Sequence, residues 1–395
     1  MDHAELATLL TPQALRLLDD LGPVDSTADV AAAVSRLRAA GIAPELVSAV
    51  VGQARLRTRA GAKFGPFAAR MLFTRAGLEQ ASRLSMAARH AGRFRDAGVA
   101  RVADLGCGIG GDALGLAGIG LDVLAVDADE VTAAIAAYNL APFGGAAVVR
   151  HARAEETDLS GIDAVWLDPA RRSAGHGETR RTRPEDWTPS LEWALDLAAR
   201  MPVGIKLGPG LDRAAIPAGV EAQWITVDGS TIELVLWSGI LARPGVSRAA
   251  LVVQGDAAHE LTAPADADDE PVRALGAYVH EPAGSVIRAR LIGEVARRLD
   301  AGMLADGIAY LTSDAELTSP LVQSFRVREQ LPFDVKRLGR ALRERGIGTL
   351  EIKKRGVDVD PAALRPKLKL AGDDSATLLL TRVDGSRVAL LADRV

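Results

Sequence analysis

Asp104, Asp127 and Asp168 each stand at the end of a short apolar run, at 102–105, 121–126 and 164–167. Between the first two lie Gly106, Gly108, Gly110 and Gly111, then a helix-like stretch at 113–118. Glycine at such places lets backbone approach a ligand that a Cβ would hold off. Strand, glycine turn, helix, strand and terminal acid form the first unit of a nucleotide-binding doubly wound sheet. Gly106, Gly108 and Gly111 satisfy a dinucleotide fingerprint, so the discriminating residue is Asp104. A carboxylate beside the loop repels a pyrophosphate and attracts an ammonium group. Read blandly, it is a helix or turn cap in a cofactor-free α/β domain.

The ligand class this favours is S-adenosylmethionine, which combines an ammonium, a sulfonium and a ribose diol whose hydroxyls Asp127 can accept. Asp104, Gly106, Gly108 and Gly110 are expected at its methionine end, and Asp104 disfavours a nicotinamide-dependent oxidoreductase. Asp168 is followed by Pro169. An acid and a rigid carbonyl there can orient one amine, and in-line methyl transfer needs little beyond such positioning. Asp-Pro alone is a common turn starter; its place after the fourth strand favours the acceptor role. Lys206, ending the fifth strand, is expected at the pocket mouth. Arg171, Arg172, Arg180, Arg181 and Arg183 followed by Trp187 read as a basic lip suited to phosphates and a base, or as a solvated loop. His176 in that lip is a weak candidate for a general base, and Cys107 reads as a packing residue.

The elements that must carry these groups follow from periodicity. With 395 residues, 48% hydrophobic and 25% charged, the chain is globular with room for two or three domains. One cysteine excludes a disulfide framework and a multi-cysteine zinc site, and no metal is expected. No apolar run reaches membrane-spanning length, and the acid-bearing start is unlike a secretory signal; a cytoplasmic protein is expected. Residues 1–95 read as helices, with Thr11-Pro12 opening one, Ser26 or Thr27 capping the next, and Thr74 capping a helix over 76–89. Alternation over 102–239 predicts strands at 102–105, 121–126, 146–151, 164–167, 204–207, 223–227 and 232–236, the last two joined by a hairpin at 228–230. A further pair of strands is expected in 240–279, and a helix over 286–299. A second helix falls within 327–345, and short strands include 368–370.

The glycine loop, Asp127 and Asp168-Pro169-Ala170-Arg171 resemble the class I S-adenosylmethionine-dependent methyltransferases, and within them the RNA guanine-N2 and trimethylguanosine-synthase-like group. The resemblance implies an α/β fold: a seven-stranded, doubly wound, Rossmann-like sheet with an N-terminal helical region and a small C-terminal α+β domain. Domain limits are expected at 1–95, 96–279 and 280–395. Residues 72–81 resemble an upstream motif lying against the cofactor, which marks Phe73 and Thr74 as pocket residues. The region from 281 to 391 resembles a THUMP-like domain. The acid expected after the third strand falls on Glu155. The group's second proline and aromatic are replaced by Ala170 and Arg171, which puts base stacking there in question.

Residues 325–369 hold 13 Lys/Arg against six Asp/Glu in a chain of net charge −4, compatible with an RNA-binding appendage or with one exposed helix face. The function expected is N-methylation of an RNA base, a purine amine favoured, with Asp168 and Pro169 at the acceptor and Arg171, Arg172, Trp187 and Lys206 contacting substrate. The alternatives are a protein or small-molecule acceptor, or a silent RNA-binding protein of methyltransferase fold.

Overall fold

The computed structural model describes residues 1–171 and 187–395. It divides into a unit of residues 1–207 with 236–242, and a unit of residues 208–235 with 243–395. Arg172, His176, Arg180, Arg181 and Arg183 fall outside the described residues.

The first unit opens with α1 (His3–Leu9), α2 (Pro12–Leu21), α3 (Thr27–Ala39) and α4 (Pro44–Phe64). Thr11 caps α2 with Pro12 at its first turn, and Ser26 and Asp29 form a reciprocal capping box on α3. All three short helices pack on α4. The buried Arg57 of α4 donates to Asp19 and to the carbonyl of Met71. α4 thus serves as the spine of the helical region.

The helix expected over 76–89 is two helices, α5 (Arg75–Gln80) and α6 (Leu84–Asp96). Ala81 and Arg83 are extended, with ψ near 141°. The break has a cause. Lys63 Nζ donates to the carbonyls of Leu78, Glu79 and Ala81 at 2.7–2.8 Å, satisfying acceptors that a continuing helix would have used. Ser82 is thereby released toward the sheet.

That sheet begins with β1 (Arg101–Leu105), α7 (Gly111–Gly118), β2 (Asp122–Asp127), α8 (Glu130–Leu140), β3 (Ala147–His151) and β4 (Ala164–Leu167). The short β5 (Ala170–Arg171) and β6 (Trp187–Thr188) pair with each other, then α9 (Leu191–Ala198) leads to β7 (Val203–Leu207). The strand order β7-β4-β1-β2-β3 is parallel throughout. β1 lies at its centre, buried except at Arg101, so both faces need helices. Gly115 of α7 abuts α6: a Cβ there would lie 2.6 Å from the carbonyl carbon of Ala87.

In the second unit β8 (Glu221–Val227) turns through Asp228 and Gly229, both at positive φ, into β9 (Ser230–Trp237). Positive φ at both turn residues is the requirement of a type I′ hairpin. The last residues of β9 belong to the first unit. β10 (Arg248–Gln254) joins β8 in parallel, and β11 (Ala257–Ala263) joins β10 antiparallel. All seven expected strands are present, and these two extend the edge beyond β8.

A mixed seven-stranded sheet follows, in the order β13-β14-β12-β15-β18-β17-β16. Its strands are β12 (Tyr278–Pro282), β13 (Gly302–Ala305), β14 (Ile308–Ser313), β15 (Val322–Pro332), β16 (Ile347–Lys354), β17 (Asp374–Val383) and β18 (Ser386–Arg394). Its helices are α10 (Gly284–Arg288), α11 (Ile292–Arg298), α12 (Val335–Glu344) and α13 (Pro361–Leu368). Leu378 and Leu380 of β17 face α12 and α13, while Leu379 points to a second core with Tyr310 and Phe325, the period-two alternation of a strand. Two expectations are corrected. The 286–299 helix is split, with Arg290 at φ 57° between α10 and α11. The 368–370 run is no strand: Leu368 ends α13 and Lys369 turns left-handed.

Two glycines give opposite expected outcomes. Gly115→Ala, despite the better helix propensity, drives a Cβ into Ala87 backbone and destabilises by roughly 1–3 kcal/mol. Gly92→Ala, inside α6 with nothing within 4 Å of the new Cβ, stabilises by about 0.5–1 kcal/mol. Chemical denaturation of both variants checks the pair.

Candidate functional site

The crevice is built at the carboxyl ends of β1, β2, β4 and β7. After β1, the amides of Gly106 and Cys107 both donate to the carbonyl of Val126, at 2.8 and 2.9 Å. This double bond forces the chain to reverse, and Gly106, Gly108 and Gly110 take φ of 85°, 57° and 87°, which L side chains rarely adopt. A Cβ on Gly106 would press to 3.4 Å on the carbonyl oxygen of Asp168, whereas one on Gly108 would meet nothing within 4 Å. Gly108 therefore faces open space, as a ligand cradle requires.

Asp127 closes the loop: its Oδ2 accepts from Gly108 N and its Oδ1 from Asp129 N, each at 2.9 Å. Burial raises its pKa against those two bonds. The Asp127 carbonyl accepts from Ala152 N at 3.1 Å, which brings the chain after β3 alongside. Glu155 follows in a short 3-10 turn, paired with Arg153 at 3.2 Å.

Phe73 and Thr74 sit beside this loop by a route the sequence did not disclose. Asn139 of α8 donates to the carbonyls of Ile109 and Leu72 and accepts from Leu72 N. Gln53 of α4 makes the same paired contact with the Phe73 backbone. Asn139 therefore ties Leu72 to the glycine loop and Gln53 ties Phe73 to α4, both from helix faces that read as core. The Phe73 ring is wholly buried, 5.7 Å from Phe64, and the Thr74 hydroxyl caps α5 by accepting from Gly77 N.

On the other side of the crevice stands a connected polar network. Lys206 Nζ lies 2.5 Å from Asp168 Oδ2, 2.9 Å from Ser82 Oγ and 3.8 Å from Asp112 Oδ2. Ser82 Oγ donates to Asp112 Oδ2, and His90 Nδ1 meets Asp112 Oδ1, both at 2.9 Å. The His90 ring stacks on Trp166 at 4.5 Å, within an aromatic cluster completed by Phe94 and Trp237. Gly204 makes room for it, since a Cβ would strike both tryptophans. Burial pushes the Asp112 carboxyl up, but Lys206 and the His90 hydrogen bond outweigh it and hold the pKa well below the usual range. Ser82, His90 and Asp112 had no sequence signal, because each sits singly on a helix or a helix break.

Asp104 is different. It is 1% exposed, and both of its side-chain oxygens are buried without a hydrogen-bond partner. Burial above all, then the charges of Asp112 and Asp168, raise its pKa well above the ordinary carboxylate value, with Lys206 opposing. An orphaned carboxylate is costly, and its position beside the cradle fits a cationic group. Pro169 is buried. Of the expected lip, β5 sets Arg171 opposite Trp187 in register, and the Trp187 ring is buried at 5% exposure with its Nε1 unpartnered.

Comparison with known proteins decides the family. An uncharacterized S-adenosylmethionine-dependent methyltransferase of Mycobacterium tuberculosis, found in strains CDC 1551 and H37Rv, is 35% identical over 363 residues, covering 88% of this chain and 95% of that protein. The chain belongs to the S-adenosylmethionine-dependent methyltransferases. Residues 322–394 of this methyltransferase match a family described as THUMP domain-like, and residues 2–60 match a domain of unknown function, DUF8688. A crystal structure described as a proposed methyltransferase of Porphyromonas gingivalis W83 shares the fold, with a TM-score of 0.72 at 21% identity over 94% of this chain and 100% of that one. Among the described residues, no helix of the methyltransferase is long and apolar enough to cross a membrane, and no group of acids, histidines and cysteine is arranged to hold a metal.

The orphaned Asp104 and the empty space before Gly108 fit this cofactor, whose chemistry is a methyl group made electrophilic by a sulfonium. Because Asp104 holds its proton above the ordinary range in the free protein, its ionisation is coupled to ligand binding. S-adenosylmethionine affinity is expected to fall as pH drops through the raised Asp104 pKa, with proton release on binding between the ordinary carboxylate range and that pKa. Calorimetry in buffers of differing ionisation enthalpy reads the proton directly. Asp104→Asn is expected to abolish the proton release and weaken binding by roughly tenfold or more, the loss of a charge-assisted hydrogen bond.

Proposed function

We propose that this methyltransferase transfers a methyl group to an exocyclic or ring nitrogen of an RNA base, a purine amine favoured. The observation that carries the reading is Asp168-Pro169 at the carboxyl end of β4. The Asp168 carbonyl packs on Gly106 of the loop, and its carboxylate is ion-paired to Lys206. In this reading Asp104 and the glycines Gly106, Gly108 and Gly110 hold the methionine end of the cofactor and Asp127 the ribose. Phe73, Thr74 and Glu155 complete its surroundings.

Asp168 and the carbonyl beside it accept the two N–H groups of an acceptor amine and turn its lone pair toward the methyl carbon. The N–C bond forms as the S–C bond breaks, and the surplus proton leaves to solvent, because a methylated aromatic amine is acidic. Positioning is the whole of the protein's contribution to such a step. Lys206 keeps Asp168 ionised so that it accepts rather than donates. Arg171, Arg172 and Trp187 are assigned to the substrate side. RNA as acceptor is supported by the THUMP-like match at 322–394 and by the acid-proline at the expected place.

The test is transfer of tritiated methyl from S-adenosylmethionine into RNA, protein and small-molecule fractions from a deletion strain. Label is expected in RNA, with nucleoside digestion yielding an N-methylpurine. Asp168→Asn is expected to lower transfer at saturating S-adenosylmethionine by about 100-fold or more. Label in protein or small molecules instead overturns the RNA reading. Lys206→Met removes the cation paired with Asp168 and is expected to lower transfer at saturating S-adenosylmethionine in the same assay.

A further inference from the structure

The RNA reading leaves open which surface grips the chain of phosphates. Residues 55–95 carry ten Lys/Arg and one acid, Glu79, in a protein whose totals are 47 and 51. The excess is the more telling because it survives folding. Arg57 is buried against Asp19 and Lys63 is spent on the carbonyls of α5. Arg55, Arg59 and Arg70, by contrast, are exposed, with no carboxylate within ion-pair distance among the described residues. Arg55 and Arg59 are one turn apart on α4 and so share a face. Arg75, 79% exposed, has only a surface pairing with Glu79 at 3.4 Å, which is worth little. Beyond α4, Phe67 stands 57% exposed on the 3-10 turn Gly65–Arg70.

The helix that carries Arg75 borders the glycine loop. The α5 helix lies so close that a Cβ on Gly77 would come within 2.5 Å of Ile109, and Phe64 and Ser82 abut Gly111.

The basic excess in the THUMP-like region has a different fate. Arg328 pairs with Asp393, Arg345 with Glu329, and Lys353 and Arg355 with Glu281. Arg343 donates to the carbonyl of Leu368. Five of the 13 cations in residues 325–369 are thus spent within the fold, and the region carries six acids against the single acid of residues 55–95.

The geometry points to the surface formed by Arg55, Arg59, Arg70 and Arg75 with Phe67 as a docking site for single-stranded RNA, the arginines contacting phosphates and the ring stacking on a base. Exposed cations with little or no pairing, together with an exposed aromatic, are the combination that single strands require. The inference rests on the RNA reading above and names the surface that would deliver RNA to the crevice.

The test uses the full-length protein and a fluorescein-labelled, mixed-sequence 20-nucleotide RNA, with anisotropy followed across salt concentrations. Arg55→Glu/Arg59→Glu/Arg70→Glu is expected to weaken binding at least tenfold at low salt and to flatten the log–log salt slope by about 2, from about 0.7 per lost phosphate contact. Phe67→Ala is expected to weaken binding several-fold with the slope unchanged. Calorimetry with S-adenosylmethionine monitors folding, and the milder Arg55→Gln/Arg59→Gln/Arg70→Gln variant is used where the reversal does not bind cofactor. Unchanged RNA affinity and slope in a variant that binds cofactor overturns the proposal, as does loss confined to Lys336→Glu/Arg337→Glu/Arg340→Glu on α12. Label transfer into RNA that persists undiminished in the α4 variant overturns this surface alone. Label found only in protein or small molecules removes the RNA reading and the surface with it.

Discussion

Asp104, Asp112, Asp127 and Asp168 converge on one crevice, three of them close enough to raise the pKa of the first. Carboxylates brought together in low dielectric cannot all stay ionised unless a cation or a proton is shared among them. Lys206 is that cation. Its three contacts, to Asp168, Ser82 and Asp112, come from β4, the α5–α6 break and α7, so elements far apart in sequence are fixed against β7. The break matters as much as the charge. Had α5 and α6 run on as one helix, Ser82 would have been one more helical residue, with its hydroxyl free to bond back to its own turn. Lys63 prevents that by taking the end carbonyls of α5, so one lysine makes the place in which another works.

The distribution of protons follows from where Lys206 reaches. Asp112 and Asp168 share it, and Asp112 has His90 and Ser82 besides, so it is held ionised at the rear. Asp104 receives the repulsion of both and little of the attraction. It is left as the group whose charge is worth most to a cationic ligand, because no hydrogen bond from the described residues satisfies it. Stability is given up there, as buried unpartnered carboxylates demand, and the site is poised for a positively charged molecule. The aromatic cluster of Trp166, Phe94 and Trp237 behind His90 excludes water and keeps those interactions strong.

Much of this frame was legible because it rests on local grammar. Glycines followed by an acid, caps such as Thr11 and Ser26, and Asp228-Gly229 are short-range signals, and the strands they punctuate fell where expected. What stayed hidden was set by tertiary partners. Nothing in the sequence near Ala81 announces a helix break, since the lysine that causes it is 18 residues away. Gln53 and Asn139 sit on apolar helix faces and read as incidental polar residues, yet Asn139 holds Leu72 to the loop and Gln53 holds Phe73 to α4. Arg290 splits a helix through one left-handed residue, a conformation no propensity assigns to arginine. Trp187, read as a lip aromatic, is buried beside β5.

The basic residues show why a count along the chain is a poor guide to a surface. Residues 325–369 hold more cations than residues 55–95, 13 against ten, but they also hold six acids against one. At the bulge of β15 Arg328 pairs with Asp393, and Lys353 and Arg355 reach Glu281, so part of that charge is consumed in holding the sheet together. Such pairs pin side chains in place and cancel the distant field that attracts a polyanion. On α4 the exposed arginines recur one turn apart with no ion-paired acid among the described residues, so each keeps its full charge and its freedom to move. A phosphate chain offers exchange of counterions only to cations of the second kind. Folding, by deciding which charges are spent internally, therefore decides which part of a net acidic protein is electrostatically basic.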